Sequence, residues 1–220
     1  METKKIYIVG GNGFARECYT YVDRMCKSDS TITFAGFLGE GGYEPELFEF
    51  SKFWKGDVSN HEFKEDEYAV IGSGDCEIRK RIYESLKSRN VKFFTVIDPS
   101  VIVYPYVEMG EANIFSPNCL VSSQVKIGNC NLFNGFIFIG HDAQIGDFNF
   151  IAPHTQILGN VKLQDMNAIG TSSVLLPKAK IGSYNKVAPI SAIYKGCKDN
   201  CIMSGNPARK IGENNEDCSD

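Results

Sequence analysis

IGNCNLFNGFIFIGHDAQIGDFNFIAPHTQILGNVKL, residues 127–163, has an apolar side chain at every sixth position: Ile127, Phe133, Ile139, Ile145, Ile151, Ile157 and Leu163. The series runs on without a break in both directions. It reaches back through Val121, Phe115, Met109 and Val103 to Ile97, and forward through Ile169, Leu175, Ile181 and Val187 to Ile193. In a chain that is 43% apolar, seventeen consecutive matches arise by chance with odds of roughly one in a million. A six-residue period fits neither an α-helix nor an ordinary strand. It is the period of a parallel β-helix, in which three hexads close one triangular coil and one large apolar side chain per hexad points into the prism.

A second register supports the first. Four residues after each ladder position stand Val101, Val107, Asn113, Cys119, Val125, Asn131, Ile137, Ala143, Asn149, Thr155, Val161, Asn167, Ser173, Ala179, Asn185, Ser191 and Cys197. All but Ile137 are small or medium, as tight corners require. Glycine often follows the ladder residue (Gly128, Gly140, Gly146, Gly170, Gly182), and the expectation is that the turn there needs its φ freedom. Coils would then stack every eighteen residues at the inter-strand spacing of about 4.8 Å.

The other end of the chain reads differently. Residues 5–9 form an apolar strand, followed by Gly10-Gly11-Asn12-Gly13 and a helix-like stretch over 14–25. Further strands are expected over 31–38 and 68–71, a helix over 76–88, and a strand over 91–96 leading into the coil. Strands alternating with helices predict a small Rossmann-like α/β domain built of βαβ units. The aromatic segment 39–61 reads as a long irregular connection. The expected organisation is therefore an α/β domain over 1–95, an all-β coil over 96–198, a C-terminal segment over 199–212 and an acidic, disordered tail over 213–220.

Composition narrows the function classes. The chain has 220 residues, enough for two modest domains, and a formal net charge of −4. With a sequence pI near 5.5, that charge argues against a general nucleic-acid binder. No apolar run approaches the roughly 20 residues that span a bilayer, and no signal peptide precedes the first strand, so the expected compartment is the cytoplasm. The eight cysteines form no CxxC pair and have no histidine at zinc spacing, which predicts reduced thiols and no metal.

Three histidines are present, His61, His141 and His154. His141 takes the third place of its hexad and should point outward, with Asp142 beside it. Gly159, eighteen residues on, should lie one coil away. An outward imidazole, a carboxylate that fixes its tautomer and a glycine N–H that can meet an oxyanion make an acyl-transfer site. The alternative is a surface histidine on a corner. His154 lies on another corner, where a structural role or a neighbouring chain suits it, and His61 reads as a solvated loop residue. Gly10-Gly11-Asn12-Gly13, between strand and helix, presents N–H groups to an anion such as a nucleotide phosphate. It departs from GxGxxG at Ala15, so NAD is not favoured, and Glu40 is the nearest acid after the second strand.

Residues 5–212 resemble the sugar acetyltransferases of the left-handed β-helix, hexapeptide-repeat superfamily. The likeness is to the branch of sialic-acid O-acetyltransferases and nucleotide-sugar N-acetyltransferases that includes the bacillosamine and perosamine enzymes. Four segments carry it: Ile6-Tyr7-Ile8-Val9-Gly10-Gly11-Asn12-Gly13, Ile71-Gly72-Ser73-Gly74-Asp75 with Arg79, Ile97-Asp98-Pro99-Ser100, and Gly205-Asn206-Pro207-Ala208-Arg209. Gly140-His141-Asp142 looks like the family's active-site coil. The resemblance implies a homotrimer with acetyl-CoA between adjacent coils, and a general-base role for His141. It further implies Gly159 at the thioester, Gly170 and Thr171 along the pantetheine arm, and Pro207 and Arg209 near the adenine nucleotide. Gly11, Asn12 and Gly13 would hold the nucleotide of a UDP-, GDP- or dTDP-linked sugar. Several relatives have His-Gly after the glycine turn, where this chain has Phe14-Ala15, and an acidic pair where it has Gly39-Glu40. The leading expectation is N-acetylation of a nucleotide-linked deoxy-aminosugar. O-acetylation of a sialic-type sugar and a non-catalytic trimeric scaffold are the alternatives.

Overall fold

The computed structural model describes residues 3–41 and 48–214. Five parallel strands form the first domain: β1 (Lys4–Val9), β2 (Ile32–Gly39), β3 (Trp54–Asp57), β4 (Glu67–Ile71) and β5 (Lys92–Phe93), in the order β3-β2-β1-β4-β5. Helix α1 (Gly13–Ser28) follows β1, and α2 (Cys76–Ser88) follows β4. The order reverses beside β1, so a crevice opens at the carboxyl ends of β1 and β4, where doubly wound sheets bind ligands. The segment read as an irregular connection over 39–61 supplies the edge strand β3 instead, flanked by 3₁₀ turns Phe48–Phe53 and Val58–Asn60. Its aromatic residues do the work of a core: Phe50 and Phe53 pack with Tyr19, Phe34 and Phe37, and the Trp54 ring fills the space where Gly39 lacks a Cβ. Residues 42–47 of that segment, Tyr43 among them, lie outside the described residues.

From Val96 onward, two-residue strands end on the ladder positions and pair in parallel with those eighteen residues away, as Leu120–Val121 does with Phe138–Ile139. Three such sheets close the prism. Ladder residues from Phe115 to Ile193 are buried, each contributing about 1.5–3 kcal/mol by removal from water. Val103 is exposed and Ile97 and Met109 half-buried, because no coil lies beneath them. Near the other end the offset falls to sixteen, as in Lys180↔Gly196 and Lys186↔Ile202. The strand Cys201–Gly205 therefore still belongs to the coil, and it turns back in an antiparallel hairpin with Ala208–Glu213. The first two residues of the tail expected to be disordered over 213–220 are ordered, since Glu213 closes that hairpin and Asn214 bonds to Asn200 and Tyr184; residues 215–220 lie outside the described residues.

Two features of the corners differ from a simple reading of the sequence. The left-handed φ does not fall on the glycines after the ladder. It falls two places later, at residues such as Phe136, Asp142, His154, Asn160 and Met166. Those glycines exist because a side chain would collide with the next coil. A Cβ at Gly140 would lie 2.6 Å from the Gly159 nitrogen, and at Gly170 2.6 Å from that of Pro189. Second, the medium-sized register on one corner is a column of buried asparagines, Asn113, Asn131, Asn149, Asn167 and Asn185. The Oδ1 of each of the first four accepts both the backbone N–H and the side-chain N–H of the next, at 2.9–3.1 Å, and Asn185 Oδ1 accepts the Cys201 N–H.

The three faces carry different outward residues. One shows Ile114, Leu132 and Phe150 and is covered by the first domain through α1, β1 and their core. Arg24 of α1 reaches the buried Asp98 at 3.1 Å. A second shows Glu108, Lys126, Gln144, Lys162 and Lys180. The third shows Ile102, Leu120, Phe138, Gln156, Val174 and Ala192, and is apolar but for Gln156. Replacing Asn149 by Ala should strand polar groups on Asn131 and Asn167 and lower stability by about 2–4 kcal/mol, measured as a shift of the denaturant midpoint.

Candidate active site

The crevice of the first domain is built by backbone. Gly10 has φ +138°, and a Cβ there would lie 2.9 Å from the Gly72 oxygen, so the turns after β1 and β4 touch. Asn12 caps α1, its Oδ1 accepting the Ala15 N–H at 3.2 Å, and no acidic residue stands in the first helical turn. The helix N-terminus is thus an open positive pole. Gly10, Gly11 and Asn12 line a cavity of about 190 Å³ with Glu40, Gly72 and Ser73. Gly13 is the first residue of α1 behind it. Glu40 is held by Arg81, whose Nε and Nη2 donate to its two oxygens at 3.2 and 2.9 Å. Ser73, visible in the sequence only as part of a motif, joins the site because Gly72-Ser73 follows β4 as Gly10-Gly11 follows β1.

His141 and Asp142 project from the corner between the apolar face and the charged one. Both are exposed, and His141 Nδ1 lies 2.7 Å from Asp142 Oδ2. Asp142 is pinned in the left-handed conformation, its N–H donating to the Ser123 oxygen. That pairing holds the proton on Nδ1 and leaves Nε2 as the basic nitrogen. The ring lies over Gly159: a Cβ there would be 2.8 Å from Nε2.

The comparison with another corner explains the rest. There, the N–H groups of Asn129, Asp147, Asp165 and Ser183 donate to side-chain oxygens one coil on, those of Asp147, Asp165, Ser183 and Asp199. In the His141 column the corresponding residues are Gly159 and Pro177, which have no side-chain oxygen. The His141 and Gly159 N–H groups therefore have no partner among the described residues. An N–H left open beside a base can receive a developing oxyanion.

Gly170 and Thr171 lie on a different corner, at the far edge of the apolar face. Thr171 Oγ1 donates to the Pro153 oxygen at 2.7 Å, and the Thr171 oxygen accepts from Ile190. The hairpin with Pro207 and Arg209 rises above this corner, where the Gly205 N–H donates to Ser191 Oγ at 3.1 Å. A single chain brings His141, Asp142 and Gly159 together, and separately Gly170, Thr171 and the hairpin. It does not bring the two groups together.

Of the remaining histidines, His154 is exposed and stacks on Phe136 at 4.9 Å. His61 is not the solvated residue expected. Its Nε2 lies 3.0 Å from the buried Glu67 carboxylate and its ring packs on Tyr7 and Phe63, because Glu67 at the start of β4 needs a partner. Burial pushes Cys119 and Cys197 up to about 11 and Cys130 to about 12, and raises Cys18, so these stay thiols. Among the described residues no three His, Cys, Asp or Glu side chains cluster to hold a metal, and no helix is long and apolar enough to cross a membrane.

Residues 5–86 match the family model of the PglD N-terminal domain. WeeI from Acinetobacter baumannii AYE superposes with a TM-score of 0.81 at 22% identity, over 95% of this chain and 100% of that one. The acetyltransferase domain of PglB from Neisseria gonorrhoeae FA1090, in complex with acetyl coenzyme A, gives 0.81 at 18% identity over 95% and 100%. A mutant of perosamine N-acetyltransferase from Caulobacter crescentus, with CoA and GDP-perosamine, gives 0.80 at 17% over 95% and 97%. The chain has their fold. The likeness read from the four motifs is borne out over residues 5–86 by the family model, and in the fold of both domains by these superpositions. The chain has no match among curated protein sequences.

The Asp142 contact makes a spectroscopic prediction. Nitrogen-15 NMR of the unmodified protein should give His141 as the Nδ1–H tautomer when neutral, and Asp142→Ala should shift it toward Nε2–H.

Proposed function

We propose that the chain is an acetyl-CoA-dependent N-acetyltransferase acting on the amino group of a nucleotide-linked deoxy-aminosugar. The observation that carries this reading is the His141 ring lying over Gly159, whose N–H is open, with Nδ1 engaged by Asp142. His141 takes a proton from the acceptor ammonium, directly or through a water, and the free amine attacks the thioester carbonyl. The Gly159 N–H stabilises the oxyanion. Its collapse breaks the carbon–sulfur bond; the proton held on His141 passes to the departing thiolate, and the attacking nitrogen gives up its second proton to water, leaving the neutral amide. No acyl-enzyme is invoked, since among the described residues no serine hydroxyl is bonded to His141 and the shifted thiols are protonated.

Two further observations support it. The glycine turn and the N-terminus of α1 suit the phosphates of a nucleotide sugar, and the similar structures include complexes with acetyl coenzyme A and with GDP-perosamine. The active form is a homotrimer joined through the apolar face. Packing that face against a neighbour brings the His141 corner of one chain beside the Gly170, Thr171, Pro207 and Arg209 corner of the next, which completes a path for the CoA arm. Arg209, exposed at the hairpin, suits its phosphates.

Thiol release from acetyl-CoA against UDP-, GDP- and dTDP-linked 4-amino sugars, with free sialic acid alongside, tests the reaction. Turnover should appear with one aminosugar nucleotide and fall by about 10²–10⁴-fold in His141→Ala. Near-full activity in that variant removes His141 from the mechanism, and turnover with sialic acid alone makes the enzyme an O-acetyltransferase. Light scattering should give a mass about three times the 24.4 kDa of the chain. Phe138→Glu should reduce both that mass and the rate, and a fully active monomer would sink the shared-site reading.

A further inference from the structure

Arg79 lies in α2 with 1% of its surface exposed, and no carboxylate among the described residues pairs with it. Apart from a 3.8 Å contact with Cys76 Sγ, its hydrogen bonds all go to main-chain oxygens. Nη1 donates to Ser73 and Gly74 at 3.4 and 2.9 Å. Nε donates to Cys130 at 3.3 Å, and Nη2 to Phe148 and Asn149 at 3.0 and 2.9 Å. The first two acceptors form the turn after β4, where Ser73 walls the cavity of the glycine turn. The other three belong to two successive coils. A single planar cation therefore bolts the cavity wall to the β-helix, a span that the point charge of a lysine cannot reproduce. Burying a cation without a counter-ion is costly unless dipoles surround it, and here five carbonyl groups do.

We propose that Arg79 is a positioning residue for the acceptor: it holds Ser73, a wall of the nucleotide pocket, in register with the coil that carries His141. This inference rests on the function proposed above. A residue that only stabilised the fold would, when replaced, reduce the amount of active protein and leave both Michaelis constants unchanged. A positioning residue moves one of them.

The test is steady-state kinetics of the full chain carrying Arg79→Lys or Arg79→Gln, with the nucleotide sugar that the unmodified enzyme turns over. The expected result is a KM for the nucleotide sugar raised by about ten-fold or more, with the KM for acetyl-CoA changed by less than about two-fold and the lysine variant less affected than the glutamine one. Unchanged KM for the nucleotide sugar in folded variants overturns the inference alone. Absence of turnover by the unmodified enzyme with every nucleotide sugar overturns the functional reading, and the inference with it. Should both variants fail to fold, hydrogen exchange on the unmodified protein decides. Bound nucleotide sugar should slow exchange at residues 73–76 and also at 130 and 148–150. Slowing confined to the first domain overturns the proposal.

Discussion

Everything in the coil depends on the eighteen-residue pairing register. Because residues i and i+18 stack, whatever stands at one place in a hexad meets its equivalent at inter-strand distance, and the apolar ladder and the asparagine column follow from that geometry. A slip of one residue would turn the ladder outward and break the column, in which each Oδ1 accepts two N–H groups of the next asparagine. Two independent sets of interactions, one apolar and one hydrogen-bonded, thus enforce a single register. The glycines after the ladder answer the same constraint, since the next coil occupies the volume a Cβ would take.

Within so regular a scaffold, the candidate site lies where the regularity is broken. On one corner, Asn129, Asp147, Asp165, Ser183 and Asp199 form an unbroken chain of side-chain oxygens that receive the N–H groups of the coil below. On the next, His141, Gly159 and Pro177 interrupt it. The same backbone then presents unpaired donors beside an imidazole whose other nitrogen is engaged. The difference between a corner with paired N–H groups and one with open N–H groups is three side chains, and the fold is unchanged.

The α/β domain is mounted on a face rather than tethered to an end. Ile114, Leu132 and Phe150 give that face an apolar surface continuous with the core of the domain, and Arg79 and Arg24 fix the attitude by reaching coil groups from α2 and α1. With one face covered and one charged, the third is left apolar, and it lies between the two groups of candidate site residues. The placement of charge on the prism therefore decides which of its faces stays bare.

Local chemistry made much of this legible in one dimension. The hexad ladder, the glycine turn between β1 and α1, the span of α2 and the outward His141 beside Asp142 follow from spacing, because a period of six and stacking at eighteen are properties of the chain itself. Other features came from contacts between residues far apart. The edge strand β3 exists because Trp54 meets Gly39, and His61 is drawn in by Glu67. The coil outlasts its period because the last turn drops two residues yet keeps its pairing. Arg79, visible only as part of a motif, finds its acceptors 51 and 70 residues away. The sequence by itself determined the repeat and what each hexad position must be, since those are set by neighbours along the chain. The tertiary structure alone decided which corner keeps its N–H groups open and which face stays bare, since both depend on what the next coil and the other domain place against them.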